Sequence, residues 1–379
     1  MTDRRIYCVI MRGGTSKAVF LHDNDLPQDE KEREQIILRA FGSPDPRQID
    51  GLGGANSSTS KVAVISVSKR ADADIDYDFG QVSVDSAYVG RKMNCGNISA
   101  AAGPFAIDEG LVKAVEPYTT VRIFNVNTQK RIIAKVPVKN GKTLYTGDYA
   151  ISGVPKTASR IDLEFIDPIG AVSGKALPTG QARDEITLAD GRKFTVSLVD
   201  AANPVVFVRA EELGLKGTEL PGEYESLPHH QEISATIEQI RCWAAYKLQF
   251  VDDPQKATFA CPELPKIAFC TGSIGYTDAT GRAIKADDYD VTARLFSMGK
   301  MIQAYMVTGT VCTMAAANCR GSLIHELVSP RLGDAVSSLR IGHPFGIIDV
   351  GARLENGEIE SVTVGRTARR LMEGWVYVD

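Results

Sequence analysis

Short apolar runs of four to six residues, broken by glycine and by clusters of Asn, Asp and Ser, dominate this chain. Few stretches carry the 3.6-residue period of a long helix. Ile6-Tyr7-Cys8-Val9-Ile10-Met11 reads as a strand, stops at Arg12-Gly13-Gly14-Thr15-Ser16-Lys17 and resumes as Ala18-Val19-Phe20-Leu21. Two strands parted by a glycine turn predict a bent or bulged strand whose turn lines a site. Residues 27–41 predict a helix, with Asp29, Glu30 and Glu32 at its positive end. A glycine-rich stretch, residues 50–55, leads towards a strand over Lys61-Val62-Ala63-Val64-Ile65-Ser66, and residues 74–79 alternate as a half-buried strand does. Runs at 119–126, 131–138 and 142–149 are strand-like, and Trp375-Val376-Tyr377-Val378 predicts a last strand.

Between these strands stands Asn94-Cys95-Gly96-Asn97-Ile98-Ser99-Ala100-Ala101-Ala102-Gly103, a thiol at the mouth of a predicted helix. Asn94 is a suitable cap, Gly96 permits close backbone approach, and the small residues favour tight packing. A helix N-terminus presents free N–H groups and a positive dipole end, which suits a carboxylate. One stretch therefore offers an anion site beside an acid/base group. The plainer reading is a buried cysteine at a helix start.

The later half echoes this order. Val205-Val206-Phe207-Val208 follows Ala202-Asn203-Pro204 where the first half has its glycine turn, and Lys266-Ile267-Ala268-Phe269 echoes Lys61-Val62-Ala63-Val64. A helical segment is expected over residues 291–305. It leads into Val307-Thr308-Gly309-Thr310-Val311-Cys312, the opening of a second alanine-rich helix. Lys266 follows Lys61 by 205 residues and Gly309 follows Gly96 by 213, as in a diverged duplication of one domain. Two such helices facing one another across a cleft would clamp a dianion from both ends. Chance similarity of short apolar segments is the competing explanation.

Composition removes several classes of function. With 379 residues the chain suffices for two domains; 44% of it is apolar and 24% charged, ordinary for a globular protein. A net charge of −4 with scattered Lys and Arg gives no footprint for nucleic acid. No apolar run is long enough for a bilayer-spanning helix, and residues 1–12 lack the layout of a signal peptide. Seven cysteines without CxxC spacing, beside five histidines, argue against a metal site and for reduced thiols in a cytoplasm.

The motifs taken together resemble the methylitaconate Δ-isomerase / 2-methylaconitate cis-trans isomerase (PrpF) family within the diaminopimelate-epimerase-like fold. They are residues 11–17 (Met-Arg-Gly-Gly-Thr-Ser-Lys), 47–51 (Arg-Gln-Ile-Asp-Gly), 59–61 (Thr-Ser-Lys), 94–99, 342–344 (Gly-His-Pro) and 366–370 (Arg-Thr-Ala-Arg-Arg). The resemblance implies an α+β fold of two similar domains, each a curved, mostly antiparallel sheet wrapped around a central helix, with the active site in the cleft. The domains are expected at 1–185 and 186–379, with the last strand returning to the first. It also implies an enzyme that shifts a double bond, or exchanges cis and trans geometry, in a small unsaturated di- or tricarboxylate without metal or organic cofactor. Lys61 and Cys95 then correspond to proton-transfer residues. Thr15, Ser16, Asn94, Gly96, Asn97, Thr308, Gly309, Thr310 and His343 are the expected substrate contacts. A two-thiol amino-acid epimerase would need a second cysteine where Thr308 stands, with Cys312 a full turn deeper.

Such an isomerisation needs a base, an acid and stabilisation of charge on the carboxylate. Burial of Lys61 in an apolar strand favours the neutral amine, and a bound dianion opposes it. Lys61 as the obligatory base is the hypothesis; a strand-end lysine reaching solvent is the plain alternative. The turn at residues 12–17 lacks the spacing of a nucleotide phosphate loop. Ser16 suits either a carboxylate or its own backbone, and His343 either substrate or a structural role. His229-His230 reads as a polar linker. Arg366, Arg369 and Arg370 suit either carboxylate binding or ion pairs docking the tail. A 4-oxalomesaconate-type tautomerase, an aconitate isomerase and a non-catalytic partner-binding protein are the competing functions. The partner is expected to be the small polycarboxylate, with no nucleic acid or membrane, in a homodimer or homotetramer.

Overall fold

One order of strands occurs twice along the chain. In the computed structural model, which describes residues 4–91 and 93–378, Met1–Ile166 with Gly365–Asp379 form one unit and Asp167–Val364 the other. The sequence reading drew the division at 185/186. The first unit runs β1 (Arg5–Gly13), β2 (Ser16–His22), α1 (Glu30–Phe41), β3 (Lys61–Val67), β4 (Ile75–Val82), α2 (Gly96–Asp108), β5 (Tyr118–Asn125), β6 (Lys130–Lys139) and β7 (Ile161–Ile166). Its ladder pairs β1–β2 antiparallel, β2–β3 parallel, β3–β4 antiparallel, β4–β5 parallel, then β5–β6 and β6–β7 antiparallel.

The second unit runs β8 (Asp184–Thr187), β9 (Lys193–Ala201), β10 (Asn203–Arg209), α3 (His230–Lys247), β11 (Lys266–Gly272), β12 (Val291–Ser297), α4 (Val307–Asn318), α5 (Leu323–Leu332), β13 (Ser338–His343), β14 (Gly346–Glu355) and β15 (Glu358–Arg366). Pairing from β9 repeats the first unit: antiparallel, parallel, antiparallel, parallel, antiparallel, antiparallel. The last strand, β16 (Ala368–Tyr377), lies antiparallel to β1 in the first unit.

Each unit closes around a helix whose composition requires enclosure. Residues Gly96–Ile107 of α2 and Val307–Ala317 of α4 are all buried, and neither stretch contains a charged side chain. A helix apolar all round is stable only inside a core. Small residues set how closely it packs: a Cβ on Gly103 would lie 2.9 Å from a Val136 methyl. Conversely, α1 is amphipathic and surface-laid. The Asp29 side chain accepts from the Glu32 amide at its start, and Gly42 in the left-handed region ends it.

Three expectations fail. Residues 291–305 are strand β12 followed by a hairpin turn at Met298 and Gly299, both with positive φ, and a two-residue strand at Lys300–Met301. Every residue from Val291 to Phe296 is buried between two neighbouring strands, so packing on both faces overrides helical propensity. His229-His230 is no linker: His229 is the N-cap of the 18-residue α3, held by Ile237, Ile240 and Ala244 at three-to-four-residue spacing. Within 142–149 only Lys142–Thr143 pairs as a strand, and Tyr149 makes an isolated bridge with Ala158.

The turn between β1 and β2 is pressed against the first turn of α2. A Cβ on Gly13 would sit 2.4 Å from the Asn97 carbonyl oxygen and 3.0 Å from the Ile98 Cα, both backbone. Gly13→Ala is therefore expected to cost about 1–3 kcal/mol, read as a fall in urea midpoint at unchanged m-value. An unchanged midpoint contradicts this close approach.

Candidate active site

The β1–β2 hairpin and the mouth of α2 are stitched together by one side chain. Gly14, at φ +48°, turns the chain so that the Thr15 amide donates to Asn97 Oδ1 (3.4 Å) while Asn97 Nδ2 donates to Thr15 Oγ1 (3.1 Å). Ser16, buried, opens β2 directly opposite Gly13. Cys95, rather than Asn94, occupies the N-cap of α2, and its side chain makes no capping hydrogen bond. Asn94 Oδ1 instead accepts from Ser99 Oγ (3.2 Å) and Asn125 Nδ2 (3.1 Å), turning that side chain into the core. The Cys95 carbonyl accepts from the Ser99 amide, the Ser99 hydroxyl and Tyr77 Oη. Backbone amides at Gly96 and Asn97 begin the helix, where intrahelical acceptors are lacking and the dipole is positive.

Lys61 is the first residue of β3 and is 2% exposed. Its ammonium has no carboxylate partner among the described residues. It donates to Gln81 Oε1, directly opposite on β4, and lies 5.4 Å from the centroid of the Phe79 ring. Gln81 is itself fixed, because its Nε2 donates to the carbonyls of Ser57 (3.1 Å) and Ser60 (2.9 Å), which aims its oxygen at the amine. Burial pushes the Lys61 amine below its ordinary value, and charge on the Cys95 sulfur would pull it back up. Thus Lys61 and Cys95, 34 residues apart in sequence, lie within electrostatic reach of one another. An amine pushed towards its neutral form and a thiol at a helix mouth are groups of the kind that carry protons.

In the first unit, then, Thr15, Ser16, Lys61, Asn94, Cys95, Gly96 and Asn97 gather around one turn and one helix end. The other expected contacts occupy the corresponding place in the second unit. Thr308 is buried in the first turn of α4, and its hydroxyl accepts from Asn203 Nδ2 (3.1 Å) at the start of β10. Gly309 faces Leu295 and Tyr305, and the Thr310 hydroxyl donates back to the Met306 carbonyl. His343 ends strand β13, buried, with Nδ1 accepting from the Phe345 amide (3.2 Å) and the ring tilted near Tyr305. Cys312 is wholly buried and donates to the Val199 carbonyl (3.2 Å); burial and Asp200 hold its thiol far above its ordinary range.

Gln81 and Tyr77 are the residues sequence reading missed. Neither belongs to a motif; only the register of β3 against β4 puts Gln81 opposite the lysine. Among the three C-terminal arginines, Arg370 pairs with Glu109 and Glu373, which ties β16 to the end of α2. Arg366 is fully buried, its guanidinium pushed down to about 10 by loss of water.

Comparison with known proteins agrees with this geometry. The family model described as "PrpF protein" matches residues 3–379. The chain is 45% identical to the 3-methylitaconate isomerase of Eubacterium barkeri, across 100% of this chain and 99% of the relative. It is 38% identical to the 2-methyl-aconitate isomerase of Shewanella oneidensis, across 99% and 97%. A crystal structure of methylitaconate-delta-isomerase superposes with a TM-score of 0.83 at 44% identity, covering 100% of this chain and 96% of that one. The α+β architecture of two like units is therefore the fold of a solved isomerase.

A lysine whose folded-state pKa lies below its unfolded one makes the unfolded chain bind more protons in the interval between them. Stability then rises with pH through that interval. Relative to Lys61→Met, the wild type should gain stability as pH rises towards the ordinary lysine value, by at most about 1.4 kcal/mol per pH unit. Urea denaturation series for both proteins measure this. Parallel pH dependences would show that the amine is not displaced downwards.

Proposed function

The chain belongs to the PrpF protein family, and on that footing we propose that it isomerises small unsaturated di- and tricarboxylates by proton transfer through Lys61 and Cys95. The observation carrying this reading is the buried Lys61 amine, which has no carboxylate partner among the described residues and is held by Gln81 within electrostatic reach of the thiol at the mouth of α2. Relatives named for 3-methylitaconate and 2-methyl-aconitate support the substrate class. With 3-methylitaconate, the neutral Lys61 amine removes the proton on the methyl-bearing carbon. The electron pair spreads over the double bond and into the carboxylate borne by that same carbon, as a dienolate. Amides at Gly96 and Asn97, and the Ser16 and Thr15 hydroxyls, stabilise the charge gathering on that carboxylate. The Cys95 thiol then protonates the terminal methylene, which becomes a methyl group. Lys61 returns its proton to the thiolate, so the enzyme ends as it began. Every step is a proton transfer, so the reading calls for no metal or organic cofactor.

Other features of the working form follow the same reading. The seven cysteines stand as thiols rather than disulfides among the described residues, which supports a reducing, cytoplasmic setting. Exposed Leu371, Met372, Trp375 and Tyr377 along β16 support self-association as a homodimer or homotetramer. Burial of Cys312 away from the mouth of α4, where Thr308 stands, weighs against two-thiol epimerisation.

Proton NMR of the purified protein in D2O tests the proposal against 3-methylitaconate, 2-methylaconitate, cis- and trans-aconitate and 4-oxalomesaconate. Double-bond movement with deuterium at the new methyl or methine carbon is expected for at least one acid. Folded protein that leaves the whole panel unchanged sinks the proposal. Lys61→Ala should lose at least about 10³-fold in kcat, as removal of a positioned proton-transfer group does, and Cys95→Ser should also be crippled. Near-normal turnover by Lys61→Ala would remove the lysine from its assigned role.

Gln81→Glu sets a carboxylate against Lys61 and favours the ammonium. The acidic limb of kcat/KM, which reports the free base, should therefore move to higher pH. An unmoved limb would show that Gln81 does not act on the base.

A further inference from the structure

Three cations stand in a row beside the hairpin. In the antiparallel ladders Arg12 of β1 lies directly opposite Lys17 of β2 on one side and Arg369 of β16 on the other. Directly opposed residues project from the same face of a sheet, so three positive side chains are set side by side. Like charges so placed destabilise a sheet, and no carboxylate among the described residues pairs with any of the three. Burial and the neighbouring Arg369 both push the Arg12 guanidinium below its ordinary value, as expected of a cation lacking a counterion.

Arg12 is nevertheless held in place. Its Nη1 donates to the carbonyls of Gly14 (2.8 Å) and Thr367 (3.1 Å) and to Thr367 Oγ1 (3.0 Å). Its Nη2 and Nε make no hydrogen bond among the described residues, so half of the planar fork stays available to a bidentate acceptor. The row opens onto a pocket of about 820 Å³ in the first unit, and a fourth cation, Lys156, stands on its wall. Thr15 and Ser16 line the same pocket, and Thr15 is hydrogen-bonded to Asn97 at the mouth of α2; Lys61 and Cys95 are not among the lining residues. Val154, Pro155 and Leu371 supply apolar wall, which suits the carbon skeleton of an organic acid better than a bare inorganic ion.

We propose that Arg12, Lys17 and Arg369 form the seat for substrate carboxylates remote from the reacting carbons. They thereby set a preference for acids that carry a second or third carboxylate. That the occupant is the substrate rests on the function proposed above; the anion site itself does not.

Isothermal titration with tricarballylate, a saturated and unreactive tricarboxylate, tests the site without turnover. The wild type should bind it with an affinity that falls as salt rises. Arg369→Gln and Lys17→Gln should each weaken binding by about tenfold or more, the loss of one charge-assisted hydrogen bond. Neither side chain makes a hydrogen bond among the described residues, and each substitution relieves like-charge repulsion, so both variants should melt at or above the wild-type temperature. Butyrate, with one carboxylate, should bind weakly and respond little to either substitution. No binding by the wild type, equal affinity in all three proteins, or inorganic phosphate binding as tightly as tricarballylate would each overturn the proposal. Turnover is scored separately. A wild type that binds tricarballylate but isomerises none of the unsaturated acids contradicts the proposed function and leaves the anion site standing.

Discussion

Burying the Lys61 amine with no carboxylate partner among the described residues is the constraint on which the rest of this site depends. An ammonium removed from water loses solvation that a lone amide oxygen and an aromatic face replace only in part. The equilibrium therefore moves towards the neutral amine, the form able to take a proton from carbon. Everything around Lys61 maintains that state. Val62, Ala63 and Val64 bury the strand that carries it, Gln81 supplies a neutral acceptor instead of a carboxylate, and two backbone carbonyls fix the Gln81 amide. A carboxylate in place of Gln81 would satisfy the amine better and leave it charged.

The repeated topology shows how one architecture serves two ends. Lys266 is the counterpart of Lys61: it begins β11, is equally buried, and donates to Ser297 Oγ (2.7 Å), one step along the ladder from the Ile267–Phe296 pair. Thr308 stands at the second helix mouth where the first has Cys95, and Asn203 holds its hydroxyl. In the first unit the lysine keeps a thiol within electrostatic reach, and the glycine hairpin admits the helix mouth closely. On the function proposed above, proton-transfer chemistry belongs to one copy. The second copy keeps the helix mouth, with hydroxyl groups in place of the thiol. The family is shared with proteins named for different acids; on the readings proposed above, surroundings such as the cationic row rather than the Lys61–Cys95 pair set the specificity.

Much of this was legible in the sequence, for identifiable reasons. Short apolar runs ended by glycine mark strands whichever tertiary context they enter, which is why β1, β2, β3, β5 and β6 were visible. Lys61 was singled out through the family resemblance, and Cys95 through that resemblance and a run that reads as a helix mouth; the structure places them at the start of β3 and at the N-cap of α2. Residues 291–305 misled because a strand buried on both faces has no alternation, and its true end depends on positive φ at Met298 and Gly299. The start of α3 was hidden because a polar, histidine-led first turn looks like a loop until the core beneath it is known. Gln81 and the Lys17–Arg12–Arg369 row were illegible for a deeper reason. They are made by strand register, which brings together residues up to 357 positions apart, as between Arg12 and Arg369.

The most direct test of the account is the titration of the Lys61 amine itself. In protein labelled with ¹⁵N at lysine Nζ, the Lys61 resonance is identified by its absence in Lys61→Met and followed by NMR from pH 6 to pH 11. The account predicts a midpoint below the ordinary lysine value of about 10.5, in the direction that burial pushes it. A midpoint at or above that value would mean the amine stays charged in the folded protein, and Lys61 could not be the base.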